Sequence, residues 1–197
     1  MKLLFKGIFK DEEQLSKGTL PHNAVKFVEP ENLEQLTYAS LVFIIPALIM
    51  VAFLVCVSFL LHGVLAFDFT LTGIAIAFIF LLPHELLHAV CFGKKAEVEL
   101  YASLKTLMLF VYSTKPVSKR RYIILSLIPS LLFGWLPLIV WTLLPYNEIY
   151  SDHLFTFALF SIVFGVGDYL NVFNAIRQMP KGSMCQLSGI NSYWFMP

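Results

Sequence analysis

The chain has 197 residues, of which 58% are hydrophobic and 14% charged, with a formal net charge of +1. A soluble domain averages roughly 45–50% apolar and about 25% charged residues, so this composition, with its mean hydropathy of +0.75, is that of a membrane protein. The small net charge gives no case for nucleic acid or another polyanionic partner, and Cys56, Cys91 and Cys185 are too scattered for a disulfide framework or a CxxC metal pair.

Residues 1–38 are mixed and polar, with lysines among acids and with Pro21 and Pro30 as punctuation. The start does not read as a cleaved signal peptide, because Lys6 and Lys10 break its apolar stretch. Ala24–Val28 partly alternates and could be a strand, and Glu31–Tyr38 could be a helical lead-in. This segment is expected to be a small cytosolic or interfacial region, or a loosely ordered tail.

Ala39–Leu61 is the first long apolar run, free of charge and about the 20 residues a bilayer crossing needs. The second, Phe67–Phe92, carries Pro83-His84-Glu85-Leu86-Leu87-His88 in its second half. The third is Tyr122–Leu144, with Pro129 and Pro137 inside, and the fourth is Leu154–Ala175, interrupted by Gly165, Gly167, Asp168 and Asn171. The polar tail 176–197 ends with Trp194 and Phe195 able to sit at the interface or pack on the body. The expected fold is therefore mainly α: a polytopic four-helix membrane domain over 39–175, with spans at about 39–61, 67–92, 122–144 and 154–175.

All 14 Lys and Arg fall before the first run, between the second and third, or after the fourth. The short loops His62–Ala66 and Pro145–His153 have none. The positive-inside rule then places both termini and the 93–121 loop in the cytosol. Within that loop Glu97, Glu99 and Tyr101 alternate with Val98 and Leu100, and Leu107–Tyr112 is apolar. Two short strands joined across Ser103–Thr106 would make a β-hairpin, whose open edge could take an extended peptide by β-addition. A loop or amphipathic helix is the alternative.

The chemistry centres on H-E-x-x-H. On a helix His84 and His88 project from one face, a turn apart, and can fill two corners of a tetrahedral zinc site. Glu85 lies beside them as a candidate general base toward water. It is the only acidic residue in the interior of the second span, and charge at membrane depth is costly and usually functional. A metal-free hydrogen-bond network is the bland alternative. Pro83 removes a backbone donor and is expected to bend the helix nearby.

A catalytic zinc normally has three protein ligands and an open position. His22, His62 and His153 lie outside the spans, so the third candidate is Asp168, the only ionisable carboxylate within the fourth. Counted from the cytosolic ends of their spans at about 1.5 Å per residue, His84, His88 and Asp168 lie roughly 5–12 Å deep. Antiparallel helices would present them at one level, and Gly165 and Gly167 allow close approach. A helix–helix hydrogen bond or a proton-transfer role would also suit Asp168. Asn171, one turn on, could orient Asp168, bind substrate backbone, or make a plain interhelix contact. Cys91 reads as a packing cysteine, and Lys94 and Lys95 as interface markers.

His84-Glu85-Leu-Leu-His88 in the second of four spans, the Glu97–Ser113 segment, Lys119-Arg120-Arg121-Tyr122 leading to Pro129, and Gly167-Asp168-Tyr-Leu-Asn171 together resemble the membrane zincin peptidases, a bacterial domain family. The resemblance covers about residues 20–180. More distantly the chain is similar to the site-2 intramembrane proteases, although Tyr169 stands where their aspartate is followed by glycine and no Asn-Pro pair lies nearby. The resemblance implies one zinc per chain held by His84, His88 and Asp168, with Glu85 as base. It further implies a membrane-embedded or membrane-proximal polypeptide substrate and a bacterial cytoplasmic membrane. A non-enzymatic membrane protein that binds metal, or handles ions or protons, is the rival class.

Overall fold

Uncharged apolar runs have no partner for their backbone outside themselves, and they form helices that satisfy each N–H and C=O internally. The computed structural model describes residues 1–65, 67–106 and 108–197, so Ala66 and Leu107, the last residue of the first expected outer loop and the first of the second expected strand, lie outside the described residues. In chain order the strands are β1 (Lys2–Ile8), β2 (Val25–Lys26), β3 (Glu97–Ser103), β4 (Met108–Tyr112), β5 (Val117–Ser118), β6 (Met184–Ser188) and β7 (Asn191–Phe195). The helices are α1 (Leu33–Ser40), α2 (Ile44–His62), α3 (Leu71–Cys91), α4 (Lys119–Ser130), α5 (Leu136–Leu143), α6 (Ser151–Phe164) and α7 (Val166–Gln178).

The protein is mainly helical, with two small sheets. Asn32 caps α1 by accepting the Gln35 N–H at 2.8 Å, and a 3₁₀ turn joins α1 to α2, so that Leu33–His62 forms one run of 30 residues. Gly63, at φ +69°, ends it in the left-handed conformation that a side chain would resist. Thr70 caps α3 through the Gly73 N–H. Between α4 and α5 the helix widens into a π turn, Leu131–Trp135. α6 and α7 meet at Gly165 with a bend of 46°, so the fourth apolar run is a broken helix rather than a straight one. Among the described residues, three helical runs are long and apolar enough to cross a membrane, and the bent pair makes up to four. Ile49 and Phe53 of α2 and Phe78 and Ile79 of α3 are exposed, as apolar side chains facing lipid would be.

The helices pack through Ala47, Val51, Leu138, Trp141, Ala158 and Ile162. Gly134 lets the backbones of the π turn and α6 touch, since a Cβ there would lie 2.7 Å from Ile162 Cγ1. A second core, with Phe27, Ala89, Phe92, Val98, Leu125 and Cys185, joins the ends of α3, α4 and α7 to the sheets.

The expected hairpin is β3–β4, antiparallel with Glu99 opposite Tyr112. β1 adds to it in parallel, giving the order β1-β3-β4. Its buried Glu99 accepts Ser16 Oγ at 2.8 Å and Tyr101 Oη at 3.0 Å and pairs with Lys6 Nζ at 3.1 Å. Burial, and then Glu99 beside it, push the Tyr101 hydroxyl up to about 12. The second sheet has the order β2-β7-β6-β5.

The expected strand within Ala24–Val28 is β2 and the expected helical lead-in is α1, so the loose-tail alternative for residues 1–38 does not hold. The addition is β1, which finds its partner more than ninety residues away. The C-terminal tail is more ordered than its polar composition indicates, and of the two placements expected for Trp194 and Phe195 it takes the packed one. It folds into the β6–β7 hairpin around Gly189, and Trp194 and Phe195 pack on the body. Such long-range pairings leave little trace in local periodicity.

The basic residues of the 93–121 loop also have local work. Lys115 Nζ and Arg121 Nε donate to the Phe92 and Cys91 carbonyls at 3.1 and 2.7 Å, and Lys119 Nζ donates to the Met179 carbonyl. They therefore cap the ends of α3 and α7, the two helices that carry the candidate site.

Candidate metal centre

α3 is helical without interruption through Pro83, which supplies no N–H to the Ile79 carbonyl. His84, Glu85 and His88 are all buried on it. The two imidazoles meet edge to face on one side of the helix, with centroids 4.9 Å apart and planes at 71°. His88 Nδ1 lies 2.7 Å from the Leu125 carbonyl of α4. A carbonyl can only accept, so Nδ1 carries a proton, and Nε2 is the nitrogen that would offer its lone pair to a metal.

The bend at Gly165 sends the first turn of α7 toward α3. Asp168 there places Oδ2 3.1 Å from His84 Nε2 and Oδ1 3.1 Å from His88 Nε2. At zinc–ligand bonds of about 2.0–2.2 Å, neighbouring tetrahedral ligands stand about 3.3–3.5 Å apart. The donor spacing is close to that edge, and two imidazoles with one carboxylate is a donor set zinc accepts. These residues fit the metal.

Glu85 belongs to the same cluster, its carboxylate lying within 4.8 Å of the ligand-type nitrogens of both histidines. It is not free, because Oε2 accepts the backbone N–H of Val111 on β4 at 2.9 Å. Among the described residues β4 pairs with β3 on one side only. Alternation then turns the N–H and C=O of Val111 and Leu109 toward the open edge, over the histidines.

Around this cluster is a cleft of about 200 Å³, whose apolar walls include Leu81, Leu109, Phe110, Leu125, Phe164 and Leu187. Asn171 lines it one turn beyond Asp168. The hydroxyl that reaches Asp168 is Ser130's, at 3.2 Å from Oδ2. Cys91 packs against the core at the end of α3. His62 and His153 lie elsewhere, against the Thr142 carbonyl and Thr70 Oγ1 at 3.2 and 2.8 Å.

Sequence reasoning missed Ser130, the Val111 N–H, the Leu125 carbonyl and Leu187. For Ser130 a signal exists: Ser126 and Ser130, four apart in an apolar run beside Pro129, mark one polar stripe on α4. Backbone groups give no such signal.

No curated protein and no solved structure matches the chain. A family model described as "Putative zincin peptidase" matches residues 76–184, a segment that begins inside α3 before the H-E-x-x-H and ends in β6. The match covers more than half of the chain and contains the whole cluster, and the chain belongs to this family.

Proposed function

We propose that the protein is a zinc-dependent peptidase of the cytoplasmic membrane, hydrolysing peptide bonds of membrane-embedded or membrane-proximal segments near the cytosolic face. The observation that carries this reading is the Asp168 carboxylate, 3.1 Å from Nε2 of both His84 and His88, with Glu85 alongside. The charge bias of the loops supports four spans with both termini cytosolic, α6 and α7 then forming one bent span. In this reading His84, His88 and Asp168 are the ligands.

Bound zinc would polarise the scissile carbonyl and acidify water. Glu85 takes a proton from the attacking water as the new C–O bond forms, and returns it to the amine as the C–N bond breaks. The Val111 N–H at Oε2 holds that carboxylate in place. The substrate lies extended along the open edge of β4, pairing with Leu109 N–H and C=O and Val111 C=O. A helical substrate has spent its backbone bonds on itself, so it unwinds before it can bind. The apolar walls favour apolar side chains around the scissile bond.

The test is metal dependence. Purified full-length protein should carry about one zinc per chain and cleave a quenched-fluorescent peptide of apolar sequence. 1,10-phenanthroline should stop cleavage and added zinc restore it. Zinc at background level, or cleavage indifferent to the chelator, overturns the reading.

The edge-strand part has its own expected result. In Leu109→Pro the lost N–H is one that faces away from β3, so the ladder survives. KM should rise about fivefold, the equivalent of one hydrogen bond of ~1 kcal/mol, with zinc content unchanged. An unchanged KM removes β4 as the substrate's partner.

A further inference from the structure

A serine inside an apolar helix ordinarily turns its hydroxyl back to the carbonyl four residues earlier. Ser130 does otherwise. It is fully buried at the end of α4 and donates across the bundle to Asp168 Oδ2 at 3.2 Å. Everything around it enforces this contact. Pro129 precedes it and the π turn Leu131–Trp135 follows it. On the facing side is Gly165, where a Cβ would lie 2.2 Å from Ser130 Oγ. Only glycine permits the α6–α7 junction to approach so closely. The π turn also brings Trp135 to α7, where its Nε1–H donates to the Tyr169 hydroxyl at 3.0 Å. π turns inside α-helices are rare and frequently occur at functional sites.

We infer that Ser130 and Trp135 are positioning residues for Asp168, gripping it at two points: Ser130 on the carboxylate itself, and Trp135 on the neighbouring Tyr169. The inference rests on the zinc-site reading above. An aspartate carboxylate rotates about its terminal torsion at little cost. With Oδ2 hydrogen-bonded to Ser130, that rotation is restricted and both oxygens stay directed at the histidines. Outer partners of this kind hold metal ligands in orientation, and their loss typically costs about 10–100-fold in metal affinity or activity. The grip comes from α4 and its π turn, so the third apolar run serves the site without supplying a ligand.

The test measures zinc affinity by chelator competition on the purified full-length protein, alongside the visible spectrum of its cobalt(II) form. Ser130→Ala should weaken zinc about tenfold and change the cobalt bands, which report ligand geometry. Trp135→Phe keeps the ring, loses the N–H, and should weaken zinc about threefold. In an Asp168→Ala background neither substitution should weaken zinc further, because both act through that carboxylate. A purely structural role would lower affinity equally in both backgrounds. Wild-type affinity and cobalt spectrum in both single variants, or additive losses with Asp168→Ala, overturn the inference while leaving the zinc site intact. A wild-type protein that binds no zinc overturns the site reading, and the inference with it.

Discussion

Glu85→Gln is expected to abolish measurable peptide hydrolysis while leaving zinc bound. General acid–base catalysis contributes about 10²–10⁴-fold, and here one side chain serves in both directions of proton transfer. The substitution is nearly isosteric. Its amide oxygen can still accept the Val111 N–H that Glu85 accepts at 2.9 Å, so β4 keeps its place above the histidines. The metal should stay, because the proposed ligands lie on other residues. Turnover of the quenched-fluorescent peptide and zinc content, measured on one preparation, check both halves. Loss of zinc in Glu85→Gln would make Glu85 a ligand rather than the base. Full turnover would remove it from the chemistry. If the metal remains and a cellular phenotype of the deletion is rescued by Glu85→Gln, the non-enzymatic metal- or ion-handling reading gains.

What the sequence could reveal depended on whether the determinant was local. The H-E-x-x-H states its own geometry, since four residues on a helix fix two imidazoles on one face. Asp168 was reachable by a depth argument, because a lone carboxylate in an apolar run is conspicuous. The approach that brings it to 3.1 Å from both histidines was not. It depends on the 46° bend at Gly165 and on a glycine packed against Ser130, tertiary facts of two helices more than thirty residues apart. The β3–β4 hairpin was legible from alternation across a turn. β1 was not, because its run of Leu3, Leu4 and Phe5 does not alternate and its partner is remote. The β6–β7 hairpin hid in a polar tail for a related reason: its strands have five residues each, and both carry polar side chains, such as Gln186 and Ser192, that are buried only in the assembled sheet. The contacts least visible in the sequence were backbone groups, the Val111 N–H at Glu85 and the Leu125 carbonyl at His88. Every residue has such groups, so no residue type announces them.

Asp168→Ala is expected to have the largest effect on the metal, weakening zinc by more than about 100-fold, beyond the range of an outer-shell partner. The carboxylate is the only acidic group within 3.1 Å of both Nε2 atoms among the described contacts. Without it the site retains two imidazoles on one helix, and nothing from α7 closes the third corner. Asp168→Asn should be intermediate, because an amide oxygen keeps the shape and loses the charge. Thermal unfolding with and without zinc separates loss of a ligand from loss of the fold. A ligand bound only by the native state stabilises it by about 2.7 kcal/mol at a hundred times its Kd. Zinc should therefore raise the midpoint of the wild-type protein and leave that of Asp168→Ala unmoved at the same concentration. If the variant folds and still shows the wild-type zinc shift, Asp168 is not a ligand, and its contacts with the histidines are those of a buried hydrogen-bond network. If the shift is lost in Asp168→Ala and kept in Glu85→Gln, ligand and base are separated by experiment as they are in space, on α7 and under β4.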